Sequence, residues 1–369
     1  MTYLQAFVIA LVQGVTELFP VSSLGHSVLI PAWLGGSWQT LVTQSSQQSS
    51  ESSFYLAYIV ALHCATALAL AWFFRADWIR IIRGLFRSLP ASARLSLHDR
   101  RLRLDVADKD ERLAWMIIFA TIPVGLTGVA LEHTFRVLFA KPAAAAVLLF
   151  INGLILLGAE AMRRSAVRRN RADARVEAGH PVPAFAPPGA HATTAAGGGP
   201  AQVCTGDATI PMPAVGPGRP TSHRRPSGGR AAADIDAAEQ SDARIARLSY
   251  AAGIWIGASQ ILALLAGISR SGVTMAGGLW RGLDHEDAAR FAFLLATPVI
   301  LAAGVLKVPS LLGPAGAHIH GQVVLGVIVC GIAAYLSVRF LVRWFQTRTL
   351  TPLAIYCLVF GALSILRFL

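Results

Sequence analysis

Charge is what this sequence has least of. Asp, Glu, Lys and Arg make up 14% of its 369 residues, where soluble proteins carry about 25%. A soluble fold this poor in charge would leave most of its surface apolar, so a soluble enzyme is excluded. Cysteine is scarce as well. Cys64, Cys204, Cys330 and Cys357 are scattered, with no C-x-x-C pair and no histidine at ligand spacing, which argues against a cysteine-based metal site. Three of the four sit in apolar segments, where a small buried hydrophobe is the simplest reading. No basic residue precedes Arg75, and the first apolar run lacks the basic stretch that introduces a cleaved signal peptide. None is expected.

What is there instead is apolar length. Hydrophobic residues make up 54% of the chain, the mean hydropathy is +0.54, and stretches long enough to cross a bilayer recur. The net charge of +12 would suggest nucleic-acid binding if it were spread over a folded surface. It is not. Ten of the 32 Lys and Arg lie between Arg75 and Arg112 and twelve between Arg163 and Arg247. Both segments read as hydrophilic loops, and basic residues clustered beside apolar spans follow the positive-inside pattern that puts them in the cytoplasm. No aromatic-interleaved basic fold accompanies them, so nucleic acid is not an expected partner.

Residues 2–19 are apolar up to Pro20, and a second short run extends from Val21 to about Trp38. Neither spans comfortably alone, and between them lies the polar junction PVSSLGH. Residues 39–53, rich in Ser, Gln and Thr, read as an exposed loop. Phe54–Phe74, Leu113–Leu131 and Pro142–Ala161 are three spans, the last two joined by a short connection through His133 and Lys141. Residues 163–247 hold ten of the 19 prolines and ten of the 33 glycines. Such a composition buries too little apolar surface to order itself, and a flexible linker is expected. Its His180, His191 and His223 are too far apart for a convincing metal site.

The pattern then restarts. Tyr250–Leu265 is a short apolar run, AGISRSGVT is a second break, and another short run reaches about Trp280. Asp284 suits the N-cap of the next helix, and Phe291–Val308, Val323–Phe345 and Thr351–Phe368 are three further spans. Gln13 precedes Ser22 by nine residues as Gln260 precedes Ser269, and SSLG aligns with SRSG. Each half thus has a broken helical pair and three spans. Three is odd, so the halves enter from opposite sides. The expected fold is an all-α integral membrane protein: an inverted-topology repeat of about six transmembrane helices plus two re-entrant hairpins. Its parts are a first half (1–162), the insert (163–247) and a second half (248–369). Irregular backbone at membrane depth is tolerated only where it lines a cavity or is buried in protein, so both junctions should face a common polar pocket.

Glu17, His26 and Arg270 are ionisable groups in apolar surroundings, which need a partner or a task. Gln13 and Glu17 share a helical face. A buried ion pair of Glu17 with Arg270 that merely locks the halves is one reading. Ser22 and Ser23 precede a short helix, and Ser269 and Ser271 repeat the arrangement. Serine caps helices, and the same helix starts present free N–H groups to an anion. Arg270 adds a fork for phosphate oxygens. Two helix starts and one arginine fit a phosphate better than a cation or a sugar. His26, close to both serines, suits proton transfer or activation of a nucleophile, and Thr274 could add a hydroxyl. His63, in ALHCATALA, lacks such neighbours and is read as structural, with an approach to the pocket left open. Asn152 and Glu160 have no local pattern, and an interfacial place suffices for Glu160.

On QGVTELFPVSSLGH (13–26) and LAGISRSGVTMAGG (265–278), with weaker support from FAFLLATPVILAAG (291–304), the sequence resembles the undecaprenyl-diphosphate phosphatase family of bacitracin-resistance membrane proteins. The likeness covers residues 1–162 and 248–369. The family's (Glu/Gln)-x-x-x-Glu falls on Gln13 and Glu17, its Pro-Val-Ser-Ser-x-Gly-His on Pro20 through His26, and its Pro-Gly-x-Ser-Arg-Ser-Gly on Ala266 through Gly272. The resemblance implies an inner-membrane hydrolase that removes the terminal phosphate of undecaprenyl diphosphate, recycling the carrier lipid of peptidoglycan synthesis, with a site open to the outer face. It implies a divalent cation, Mg²⁺ or Ca²⁺, on Glu17 and Gln13. Glu17, Ser23, His26 and Arg270 are then the catalytic candidates, and Ser22, Ser269, Ser271 and Thr274 the phosphate-binding ones. Ser23 would be the nucleophile and His26 its activator. The partners are a polyprenyl diphosphate and membrane lipid, with a homodimer left open. Gln13 in place of a carboxylate, Ala266 in place of proline and the long insert are departures. A carrier-lipid transporter with the same repeat is the alternative. Acid-phosphatase-like lipid phosphatases are set aside, because SSLGH is not Pro-Ser-Gly-His and no histidine follows Ser269-Arg270 at their spacing.

Overall fold

In the computed structural model the described residues are 1–47, 54–99, 108–130, 141–177, 230–312 and 319–369. Among them all regular structure is helical. Thr2 starts α1 (Tyr3–Thr16) with a reciprocal cap: its hydroxyl accepts the Gln5 N–H at 3.2 Å while the Gln5 side chain accepts the Thr2 N–H at 2.8 Å. Pro20, which lacks an amide hydrogen, follows the end of α1, and α2 (Ser23–Leu34) starts afresh. After α3 (Gly36–Gln47) come α4 (Phe54–Phe73), α5 (Arg75–Asp99), α6 (Lys109–Ala130) and α7 (Pro142–Glu177). The second part comprises α8 (Arg230–Ala246), α9 (Tyr250–Ala258), a 3₁₀ turn (Ser259–Leu264), α10 (Arg270–Trp280), α11 (His285–Leu312), α12 (His320–Thr347) and α13 (Thr351–Phe368).

Five segments are long and apolar enough to cross a membrane: α6, the first 32 residues of α7, His285–Gly304 in α11, α12 and α13. The bent pair Ala57–Phe73 and Arg75–Leu89, turned by 82°, makes a sixth if counted as one span. Tyr3–Thr16 and Tyr250–Leu264 are apolar but shorter. The chain is therefore a multi-pass membrane protein, all-helical among the described residues. His285 begins α11 directly after Asp284, whose carbonyl accepts the Ala288 N–H at 2.8 Å, so Asp284 holds the expected N-cap position.

Met1–Val167 and Asp236–Leu369 form one compact unit, and Arg168–Ile235 a second. Of the second, the end of α7 and the start of α8 are described. In the first unit α1 packs along α12, α9 along α6, and α4 against both α11 and α12. Glycine sets two of these approaches. A Cβ on Gly14 would lie 2.6 Å from the Cys330 carbonyl oxygen, and one on Gly257 would overlap the Ala120 carbonyl. Tyr58, Phe291, Phe293 and Phe345 are large fully buried side chains of the apolar core.

Three expectations change. Residues 39–47 are helical rather than loop, because Leu41 buries against the core and Ser37, in the first turn of α3, binds the Gln5 side chain. Most of the basic stretch 75–112 is helix α5 and the start of α6. There Arg80 binds Asp77 (2.6 Å), Asp110 (3.1 Å) and Asp242 (2.9 Å), and Arg290 binds Asp242 (2.7 Å) and Asp77 (2.9 Å). Both ends of the insert are helical as well, since α7 runs to Glu177 and α8 starts at Arg230. Ion pairs within the span-bearing unit hold the part of α8 that belongs to it: Asp242 as above, Arg244 to Asp287 at 2.6 Å, and Glu239 to Lys109 at 3.0 Å. His133 in the connection, Cys204, and the insert's His180, His191 and His223 lie outside the described residues.

Candidate active site

The site is made where two helix starts meet. At the first, α1 ends in Glu17, and the chain turns through Pro20 to Ser22. Ser22 has φ +68°, the only positive φ of a non-glycine residue among those described. A β-carbon in that region is strained. The Ser22 hydroxyl offsets this by accepting two amides, Gly25 N–H at 3.2 Å as the α2 cap and Gly267 N–H at 3.2 Å from the other junction. At the second, the chain leaves the 3₁₀ turn through Gly267 (φ +114°) to Ser269, whose hydroxyl caps α10 by accepting the Gly272 N–H at 3.1 Å. A Cβ on Gly25 would sit 3.1 Å from the Gly267 Cα, so the breaks touch backbone to backbone.

Asn152 of α7, fully buried, joins them a second time. Its Oδ1 accepts the Ser269 N–H at 3.0 Å, and its Nδ2 donates to the Pro20 carbonyl at 3.0 Å. Buried backbone polar groups left unpaired are costly, and one amide side chain satisfies a group from each junction.

Glu17 is the hub. One carboxylate oxygen accepts the Arg270 guanidinium. The other accepts the Ser23 hydroxyl and, at 2.9 Å, the Gln13 amide, with His63 Nε2 3.3 Å away. The Glu17 side chain is 4% exposed, whereas Arg270 and His63 are 17% and 22% exposed, so these two line the accessible side of the carboxylate. His63 Nδ1 faces the Ile59 carbonyl at 2.8 Å, an acceptor only. It must carry a proton, and Nε2 lies 3.3 Å from both the Glu17 carboxylate and the Gln13 amide nitrogen.

Of the predicted residues, Gln13, Glu17, Ser23 and Arg270 come together directly. Ser22 ties the junctions, and Ser269 and Ser271 share a hydrogen bond at 3.1 Å beside Arg270. Thr274 is turned back on its own helix, donating to the Arg270 carbonyl at 2.7 Å. His26 is fully engaged away from Ser23. Its Nδ1 donates to the Ser22 carbonyl at 2.7 Å, and Nε2 accepts the Tyr356 hydroxyl at 2.7 Å. Its ring stacks on Tyr356 and Phe360. The group bonded to Ser23 is Glu17, not His26. The expected Glu17–Arg270 pair is present within a hydroxyl-bearing cluster.

Of three further participants, Tyr356 was not singled out from the sequence, His63 was read as structural with an approach to the pocket left open, and Asn152 was named without a role. For His63 and Asn152 the available signal was the same one that marked Glu17, a polar side chain inside an apolar run. Glu160, expected at an interface, is buried in two ion pairs. It binds His285 at 2.7 Å and Arg164 at 3.1 Å.

The fit of a divalent cation rests on oxygen donors. Among the described residues no three His, Cys, Asp or Glu converge as a ready metal cage. Gln13 Oε1 is nonetheless buried with no hydrogen-bond partner, on the residue that touches Glu17. A carboxylate, an amide oxygen and a hydroxyl are hard donors. Such donors are of the kind that hard divalent cations take.

Residues 6–180 and 229–363 match the family described as Bacitracin resistance protein BacA. The chain belongs to that family. It is 53% identical over 377 residues to Undecaprenyl-diphosphatase 2 of Frankia alni, covering 100% of this chain and 98% of the relative. Undecaprenyl-diphosphatase of Mycolicibacterium paratuberculosis is 47% identical over 365 residues, 99% of this chain and 97% of the relative. Undecaprenyl-diphosphatase 2 of Chromobacterium violaceum is 33% identical over 370 residues, 99% of each. The BacA match leaves out residues 181–228, the middle of the insert, and takes in both junctions.

Proposed function

We infer that this BacA-family protein hydrolyses undecaprenyl diphosphate to undecaprenyl phosphate. It is a membrane hydrolase of cell-wall carrier-lipid recycling, and bacitracin resistance goes with that activity. The observation that carries the reading is the pairing of Arg270, at the start of α10, with Glu17, at the end of α1, which also binds Ser23 at the start of α2. One guanidinium nitrogen is engaged on Glu17, and the rest of the fork is free for phosphate oxygens. Ser269 and Ser271, with the amides opening α10, complete an anion cradle.

Phosphoryl transfer depends mostly on positioning and charge stabilisation. Ser23 Oγ attacks the terminal phosphorus, and its proton passes to Glu17, with which it is already hydrogen-bonded. The bond from that phosphorus to the bridging oxygen breaks, and undecaprenyl phosphate leaves. Water then hydrolyses the phosphoserine, freeing inorganic phosphate and restoring the hydroxyl. His26, fixed by the Ser22 carbonyl and Tyr356, sets the Ser22–Ser23 backbone. Glu17 and Gln13 Oε1 would hold Mg²⁺ or Ca²⁺. That cation, when bound, neutralises charge on the diphosphate.

The helix pairing supports an inverted repeat with re-entrant hairpins. α1 on α12 mirrors α9 on α6, and α4 on α11 joins equivalent spans. α7 on α13 does the same, with Gly153 close against the Ala354 carbonyl and Gly361 against the Phe150 backbone. In this reading α1–α2 and α9–α10 dip in from opposite faces of the inner membrane. The positive-inside pattern puts the basic end, with α5 and α8, in the cytoplasm, and the site opens outward to a polyprenyl diphosphate. The test is phosphate release from undecaprenyl diphosphate in detergent, where transport has no meaning. Ser23→Ala and Arg270→Ala should each abolish release, and near-wild-type turnover in both would overturn the assignment.

A further inference from the structure

α5 is not needed to build the site, and its outward face is unusual. The helix leaves α4 at 82°, so if α4 crosses the bilayer, α5 runs close to the membrane plane. It starts at the charged end of the span-bearing unit, where Arg80 and Arg290 collect aspartates from the first turns of α5 and α6 and from α8. One face packs on α6: Ile81 is buried, and a Cβ on Gly84 would lie 2.9 Å from the Asp110 backbone. The opposite arc carries Ile79, Ile82, Phe86 and Leu89 at spacings of three, four and three residues. They are 48%, 46%, 66% and 41% exposed. Four large apolar side chains on one helical stripe are not left to water.

Arg83 and Arg87 run along one edge of that stripe, both exposed. Asp77, the acidic residue of 75–89, is turned away into the Arg80 and Arg290 pairs. An apolar stripe with a purely cationic edge, held parallel to a bilayer, is complementary to acyl chains below and anionic headgroups beside. We propose that the outer face of α5 is an in-plane anchor that beds Ile79, Ile82, Phe86 and Leu89 in the membrane interface and binds anionic phospholipid headgroups through Arg83 and Arg87. The proposal rests on the membrane location alone and stands whether or not the mechanism above is right.

The full chain, with Cys64 and Cys204 replaced by Ser and a spin label on Phe86→Cys, is reconstituted in vesicles of phosphatidylcholine with and without phosphatidylglycerol. Phosphate release by the labelled protein in detergent verifies its fold. A label in the membrane interface is relaxed by oxygen more than by a water-soluble nickel chelate. A label relaxed chiefly by nickel would overturn the proposal, and so would spin–spin broadening that vanishes on dilution with unlabelled protein, which would mean a second copy covers the face. For the headgroup, spin-labelled phosphatidylglycerol should associate with the wild type several-fold more strongly than spin-labelled phosphatidylcholine. In Arg83→Gln/Arg87→Gln that preference should fall toward unity. An unchanged preference would remove the two arginines from the binding surface.

Discussion

Glu17 and Arg270, 253 positions apart in the chain, form an ion pair where the two junctions meet. The pair does two jobs at once. It locks the first half to the second, and it holds a guanidinium beside the Ser23 hydroxyl that shares the same carboxylate. Removing one member of a buried pair strands the other, at about 3–5 kcal/mol, whereas replacing both by apolar groups is often close to neutral. Arg270→Met should therefore abolish phosphate release and lower the melting temperature in detergent. Glu17→Leu/Arg270→Met should regain much of the melting temperature and none of the activity. Recovery of turnover in the double variant would separate the pair from the chemistry.

Asn152 makes a sharper case, because it binds backbone groups of both junctions and none of the site's hydroxyls. Asn152→Leu leaves the Ser269 N–H without its partner and the Pro20 carbonyl with only the Cys357 thiol at 3.9 Å, at about 1–3 kcal/mol for a buried unpaired group. Loss of the clamp should also let Ser269 and Arg270 drift from Glu17. A fall in kcat with KM little changed is expected, together with a lower melting temperature. Asn152→Asp keeps the acceptor for Ser269 and loses the donor to Pro20, so its kcat should lie between those of wild type and Asn152→Leu. Equal kcat in all three proteins would show that the second link is dispensable.

Much of this was legible before any coordinates. Pro20, the paired serines and the interrupted apolar runs mark both junctions, because each is a local signal: a helix breaker, a cap, a short run. Glu17 and Arg270 stood out as ionisable groups in apolar sequence. What could not be read is what depends on long-range packing. Asn152 shows only as a polar side chain in an apolar run and Tyr356 not at all, and their roles appear only when α7 and α13 come against the first junction. His26 looked like the activator of Ser23 because it follows Ser23 by three positions and Ser22 by four. That spacing instead aims Nδ1 at the Ser22 carbonyl. α5 was hidden by its own arginines, which lower the mean hydropathy of a stripe that is continuous on one face.

The His26 geometry fixes its tautomer. A carbonyl only accepts, so the proton sits on Nδ1, and Nε2 takes the Tyr356 hydroxyl. In protein labelled with ¹⁵N-histidine at neutral pH, the His26 signals should be those of a neutral ring protonated at Nδ1. Tyr356→Phe should shift the Nε2 resonance toward that of a non-bonded nitrogen and lower turnover modestly, since the ring stays held by Ser22 and by stacking on Phe360. A doubly protonated ring at neutral pH would contradict the assignment.

Gln13 is the remaining departure from a two-carboxylate helix, and its consequence is electrostatic. Its amide donates to Glu17 at 2.9 Å, so Gln13→Glu would put two carboxylates within hydrogen-bond distance in a nearly closed site. Like charges that close repel, and the repulsion is relieved by taking up a proton or by a divalent cation between them. The wild type, with one carboxylate, avoids the conflict and so should bind a cation weakly until diphosphate oxygens complete its shell. Gln13→Glu should reach half-maximal phosphate release at a lower Mg²⁺ concentration than wild type. In chelator it should melt at a lower temperature than wild type, and added Mg²⁺ should raise its melting temperature by more. Identical Mg²⁺ titrations for the two proteins would show that residue 13 does not contact the cation.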